Sequence, residues 1–250
     1  MVINIKKEYY DKLDNMALCI AKKLGEDENV TEDILECIRK IYGGTRLNRL
    51  NEENFHSSYH QSATPDAEFF ISRIFFNFSL LNKLNWNILL RVQSKINGKF
   101  FSPDIRIEKE GKTLAIVEFK LKVGWIQGLF SDKRAEYDRK KMKEGQTIFD
   151  VDKFRQSEKE RVDKLSGGFE VSKDKIFYLV PSLREAHRKK YETTIEDYKR
   201  IFTGVVGIPE RNLILLSNNL RLNLDVENLK EKLSPRNDFE SFIKMLNNSV

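Results

Sequence analysis

The 250-residue chain has little of what ties or anchors a protein covalently, with only two cysteines, Cys19 and Cys37. That number excludes a disulfide framework. Both cysteines lie in helical patterns and read as reduced thiols, as expected of a cytoplasmic protein. Long apolar runs are also lacking: the longest, Phe69 to Leu81, is interrupted by Arg73 and Asn77, so it reads as a buried helix and not as a membrane span. Charges begin at Lys6 with no apolar stretch behind them, so no signal peptide is visible. Repeats and low-complexity tracts are absent. Histidine is scarce, three in all. His56 and His60 stand four apart, the spacing of a two-histidine metal site on a helix, yet no cysteine or His-Glu-x-x-His pattern accompanies them. They read as surface or substrate-facing residues, and zinc is not expected.

Charge, in contrast, is plentiful. One third of the residues are charged and the net charge is +6. Much of this is solvated helix surface, but the sign suits a polyanionic partner. The length allows one sizeable core with attached elements.

Amphipathic helices are expected over 6–24 and 31–42, separated by the acidic turn Gly25-Glu26-Asp27-Glu28-Asn29, with a third over 47–61. Thr64 is an N-cap, and Pro65 a first helical residue, for an apolar helix from 65 to about 82. Strands are expected over 86–95, 102–109, 113–123, 175–180 and 212–217, and further helices over 133–144, 151–165, 193–202, 225–233 and 237–247. The helix over 151–165 should end before Ser166-Gly167-Gly168. This order predicts an α/β fold with a mixed central sheet of about five strands flanked by helices. Residues 1–62 form a helical N-terminal region, 63–220 the core and 221–250 a C-terminal helical extension.

One hairpin concentrates the chemistry. In Thr113 to Val123 (TLAIVEFKLKV) the residues alternate, so Leu114, Ile116, Glu118, Lys120 and Lys122 share one face, and Ala115, Val117, Phe119, Leu121 and Val123 the other. Ser102 to Lys109 reads as the partner strand, its proline at the start, where a missing donor is tolerated. A turn centred on Gly111 sets Asp104 opposite Glu118, with Cβ atoms roughly 5 Å apart. Two carboxylates so placed can hold one divalent cation, and a loop one residue longer or shorter would separate them. A solvated hairpin end carries such charges too. A second Pro-Asp, Pro65-Asp66, shows how common the dipeptide is in a charged chain.

Pro103-Asp104 followed by Glu118-Phe119-Lys120 resembles the motif of the PD-(D/E)XK nuclease superfamily in its glutamate form. The surrounding order of helix, strand, hairpin, helix and strand, from about residue 64 to 181, is similar to that family's core. The resemblance implies a Mg²⁺-dependent endonuclease, with Mn²⁺ able to substitute. Asp104 and Glu118 would bind the metal as hard oxygen ligands, joined by the backbone carbonyl of Phe119. Lys120 would position or deprotonate the attacking water and neutralise the phosphate. Glu68, on the helix before the first strand, would be an accessory acid, although a first-turn glutamate is also favoured by the helix dipole. Glu53 is its rival.

The same likeness puts Tyr137, Lys140 and Lys141 on a helix near the site, beside Lys122 on the catalytic strand. The set Lys133, Arg134, Arg139, Lys140, Lys141 and Lys143 is interleaved with acids and partly explained by helix pairing. Arg184, His187, Arg188, Lys189 and Lys190 form a purer basic cluster, with Arg188 and Lys189 as a second phosphate clamp. Trp125 reads as packing. In layout the chain most resembles a type II restriction endonuclease, which implies double-stranded DNA as substrate and a homodimer to cut both strands. The alternatives are a structure-selective repair, recombination or defence nuclease, and a non-catalytic nucleic-acid-binding module.

Overall fold

The computed structural model describes residues 5–42, 64–96, 98–120, 151–181, 199, 202–217 and 235–248. Helices α1 (Ile5–Gly25) and α2 (Thr31–Tyr42) lead into α3 (Thr64–Leu81). Strand β1 (Asn87–Leu90) is followed by a small hairpin, β2 (Ser94–Ile96) and β3 (Lys99–Phe101), and by the long hairpin β4 (Ile105–Lys109) and β5 (Lys112–Phe119). Helix α4 (Val151–Gly168) precedes β6 (Ile176–Val180) and β7 (Leu213–Leu215), and α5 (Asp238–Asn248) ends the described chain. The expected helices over 47–61, 133–144 and 225–233 lie outside the described residues, as does most of that over 193–202, next to which a π-helical turn spans Phe202–Val206.

The fold is α/β, with a five-stranded mixed sheet in the order β1-β4-β5-β6-β7 flanked by helices. Pairs β1–β4 and β4–β5 are antiparallel, whereas β5–β6 and β6–β7 are parallel. No helix among the described residues is long and apolar enough to cross a membrane.

Alternation along the strands divides the interior in two. Ile105, Ile107, Ala115, Val117, Phe119, Phe177, Leu179 and Ile214 meet α1, α2, α3 and α5 in one apolar core. Ile116, Ile176, Tyr178, Val180, Leu213 and Leu215 meet Val162 and Leu165 of α4 in a second. The polar interruptions of the apolar helix have a purpose in this packing: Arg73 grips Asp14 of α1 with two hydrogen bonds of 2.6 and 2.8 Å, and Asn77 donates to the same carboxylate at 3.0 Å. Asp66 is fully buried and accepts from the hydroxyls of Tyr9 and Tyr10, both at 3.1 Å. The second Pro-Asp is therefore a structural joint between α1 and α3.

Several boundaries differ from the sequence expectation: the strands expected over 102–109, 113–123 and 212–217 span Ile105–Lys109, Lys112–Phe119 and Leu213–Leu215, and three further differences have a local reason. The single strand expected over 86–95 is broken at Arg91, whose φ of 50° cannot continue a strand. Its amide instead donates to the Asp104 carbonyl at 2.9 Å, and the chain turns away into β2. Helix α4 runs through Ser166 and Gly167 to Gly168 instead of ending before them. A Cβ on Gly168 would stand 3.0 Å from the Phe101 ring, so this glycine permits close approach of the small hairpin. The third difference concerns the long hairpin. Its turn has two residues, Glu110 and Gly111, with φ of 51° and 74°, the pattern of a type I′ turn. Lys109 faces Lys112 and Glu108 faces Thr113, but Ile107 faces Ala115, because a β-bulge inserts Leu114. Leu114 thus packs toward the first core, not on the face of Ile116 and Glu118 where strict alternation puts it.

Candidate functional site

The bulge decides what the hairpin can do. With it, Ile105 faces Val117, and the next residue back along β4, Asp104, meets Glu118. Without it the register set at the turn would continue, Asp104 would meet Val117, and the carboxylates would point to opposite faces. Asp104 Oδ2 accepts from the Phe119 amide at 2.9 Å, and the Asp104 amide lies 3.4 Å from Glu118 Oε1. The end of the hairpin is therefore laced together by the two acidic residues themselves.

Glu118 is completely buried. Its other oxygen, Oε2, accepts from Arg161 Nε of α4 at 2.5 Å. The same guanidinium places Nη2 at 4.0 Å from Asp104 Oδ1 and donates to the Ser102 carbonyl at 3.4 Å. One cation thus addresses both carboxylates. Burial raises the pKa of Glu118, the Asp104 charge adds to the rise, and Arg161 opposes it. For Asp104 burial again comes first and the Glu68 charge second, against the Phe119 amide, Lys120 and Arg161; the net direction is upward. Burial works against the Arg161 guanidinium, but Glu118 and Asp104 outweigh it and hold its pKa above the ordinary value.

Lys120 follows directly on β5, its amide donating to Leu179 O of β6 at 3.0 Å. Its ammonium lies 3.3 Å from Glu158 Oε1 and 5.6 Å from the centre of the Tyr178 ring. Glu158 in turn accepts from the Tyr178 hydroxyl at 2.9 Å. Burial, then Glu158, drives the Tyr178 pKa well up, so the phenol stays a donor. Tyr178 is the parallel neighbour of Glu118. Lys120, Glu158 and Tyr178 therefore form a chain beside the carboxylate pair, and Lys120 is held by a partner on the opposing helix.

Glu68 is on α3 and buried, paired through both oxygens with Arg91; the Nη2–Oε1 distance is 2.8 Å. Burial raises its pKa more than Arg91 lowers it. The pairing also accounts for the turn at Arg91, whose side chain reaches back to α3 while its backbone holds Asp104.

Asp104, Glu118, Lys120 and the Phe119 backbone are thus brought together, with Glu68 close enough for its charge to act on Asp104. The expected nucleic-acid contacts Lys122, Tyr137, Lys140, Lys141, Arg188 and Lys189 lie outside the described residues, as do Glu53, His56, His60 and Trp125. Four participants escape a reading of the sequence: Arg91, Glu158, Arg161 and Tyr178. A helical signal for two of them is present. Glu158, Arg161, Val162 and Leu165 fall on one face of α4 at spacings of three and four, so the residues that bury this helix also aim Glu158 and Arg161 at the sheet.

Could the residues present hold a divalent cation? Among the described residues no group of three or more histidine, cysteine, aspartate or glutamate side chains forms a metal nest. Two carboxylates that reach one guanidinium can nevertheless reach one metal ion. A small hard cation commonly takes only one or two carboxylates and fills its shell with water and phosphate oxygens. The donor set fits that pattern. The Cys37 thiol is buried and pushed up to about 12 by burial, so it offers no thiolate. Comparison with family models, with curated proteins and with solved structures gives no match to this chain.

Proposed function

We propose that the protein is a Mg²⁺-dependent endonuclease of DNA with a PD-(D/E)XK-like site and, by its layout, a type II restriction endonuclease acting as a homodimer on duplex DNA. The observation that supports this reading best is the bulged hairpin. It opposes Asp104 to Glu118 before a single cationic position and sets Lys120 next to them. A purely structural ion pair has no need of a second buried carboxylate, since burying like charges together costs stability.

In this reading Asp104 and Glu118 bind the metal, with the Phe119 carbonyl as a further ligand. When bound, Mg²⁺ supplies positive charge to the phosphate oxygens and lowers the pKa of a water molecule. Lys120 faces the phosphate and orients the attacking water, and Glu158 and Tyr178 fix its ammonium. Water oxygen bonds to phosphorus and gives up a proton to solvent, the bond from phosphorus to the leaving sugar oxygen breaks, and that oxygen takes a proton from solvent, so the products carry a phosphate and a hydroxyl. Glu68, locked to Arg91, serves the site by fixing the segment that carries Asp104. The net charge of +6 favours the approach of a polyanion.

Incubation of the purified protein with phage DNA and Mg²⁺ tests this directly. A reproducible set of fragments is expected, and Glu118→Ala or Lys120→Ala should abolish it while leaving DNA binding largely intact, because phosphate contacts elsewhere carry most of the affinity. Cutting confined to flaps, junctions or single strands would remove the restriction role. Retained cleavage in either variant would move the active site elsewhere.

A further inference from the structure

Arg161 stands at the mouth of the carboxylate pair. Its side chain is 37% exposed, whereas that of Glu118 is 0% and that of Asp104 is 18% exposed. Its inner edge reaches Glu118 at 2.5 Å and Asp104 at 4.0 Å, and its outer part is open to solvent beside Ser102. The oxygens it engages are those a divalent cation would need. A guanidinium and a divalent ion cannot share them, because two cations at such separations repel strongly in a partly buried site. Arg161 is not confined there. It hangs from the surface of α4 by a long flexible stem, and a guanidinium pairs with a phosphodiester as readily as with a carboxylate, through two parallel hydrogen bonds. Lys120 is placed differently: it is already engaged by Glu158 from the preceding turn of the same helix.

We propose that Arg161 is a resident counter-cation that must leave the Asp104–Glu118 pair before a divalent ion enters, and that the phosphate of bound nucleic acid draws it away. Metal loading and substrate binding are then coupled through one side chain. Without nucleic acid the guanidinium occupies the carboxylates and offsets part of their charge, and the metal is weakly held. With nucleic acid it turns outward to a phosphate and the pair is freed. Because coupling between two ligands is reciprocal, metal must strengthen nucleic-acid binding by the same factor. The inference rests on the nuclease reading, but it concerns only the role of Arg161.

The test follows free Mn²⁺ by electron paramagnetic resonance at pH 8, where protons compete least for the carboxylates. The full-length wild type, Arg161→Gln and Arg161→Lys are compared, alone and with a short, hydrolysis-resistant phosphorothioate duplex of mixed sequence. Without duplex, Arg161→Gln should bind Mn²⁺ at least about tenfold more tightly than wild type, a change typical of groups that act on metal ligands. Arg161→Lys, which keeps the charge but loses the fork, should fall between them and guards against a folding defect in the glutamine variant. Duplex phosphate can add a metal ligand in any variant, so duplex should tighten Mn²⁺ binding to the wild type by at least about fivefold more than it tightens binding to Arg161→Gln. Equal or weaker Mn²⁺ binding by Arg161→Gln, or the same duplex effect in both proteins, would overturn the exchange while the nuclease reading stands. No Mn²⁺ binding by any of the three would remove the nuclease reading, and this inference with it.

Discussion

Toward α1, α3 and α5 the sheet presents Ile105, Ile107, Val117, Phe119, Phe177, Leu179 and Ile214, all buried in one apolar core. Toward α4 the same strands present Ile116, Tyr178 and Leu215 over part of their length, then Glu118. The strands are shared, so the difference comes from the helices. The first face is closed by apolar side chains from several helices. The second is closed at one end by Val162 and Leu165, and at the other by Glu158 and Arg161, one turn away on α4. The first face can carry the stability of the fold, which leaves the second free to hold a cluster of buried charge that a stability-driven design would avoid.

The largest effect on stability should therefore fall on the first face. Phe177→Ala there removes a fully buried ring packed 4.6 Å from Phe242. Chemical denaturation should show a loss of about 3 to 5 kcal/mol. On the second face Glu118→Gln should behave in the opposite way. Cleavage should fall by at least about a hundredfold, since a carboxylate ligand of the metal is lost, while stability at pH 8 stays within about 1 kcal/mol of wild type or rises. If the two variants melted alike, the division of labour between the faces would be wrong.

Acid sharpens the contrast. The carboxyls of Asp104, Glu118 and Glu68 all have pKa values raised above ordinary carboxylate values, with burial as the first cause. Around them stand Arg161 and Glu158 from α4, Lys120 and Tyr178 from the sheet, and Arg91. A raised carboxyl pKa means that the folded state binds protons more tightly than the unfolded state. The resulting stability is fully present below the unfolded values and is lost as pH rises through the folded ones. The wild type should thus lose stability over that range relative to an Asp104→Asn/Glu118→Gln variant. Parallel stability curves for the two proteins would contradict the raised values.

A smaller loss of stability than that of Phe177→Ala belongs to the turn that both faces depend on. Gly111 has φ of 74°, and a Cβ added there would meet only open space, so the cost of Gly111→Ala is conformational. Thermal unfolding should register about 1 to 2 kcal/mol.

What can be read from residues alone follows physical locality. The alternation in LAIVEFK places Ile116, Glu118 and Lys120 on one face because the two-residue period is intrinsic to a strand. Helix α3 is legible from Thr64, Pro65 and its apolar run. The bulge is not, because a three-residue turn and a two-residue turn with one bulge deliver the same partner to Asp104. They differ in the residues next to the turn, above all Leu114, which the bulge leaves unpaired. The break at Arg91 depends on Glu68, 23 residues away, and no local pattern encodes it. Arg161 and Glu158 are hidden for another reason. Helix α4 reads as a charged surface helix until the sheet beneath it shows which charges face inward.

The central claim is that Asp104 and Glu118 together define one position for a divalent cation. Crystals of the protein with Mn²⁺ and duplex DNA, measured for anomalous scattering, test it most directly. The account requires a peak at about 2.0 to 2.6 Å from an oxygen of each carboxylate. A peak that contacts neither, in crystals that hold Mn²⁺ elsewhere, would contradict it.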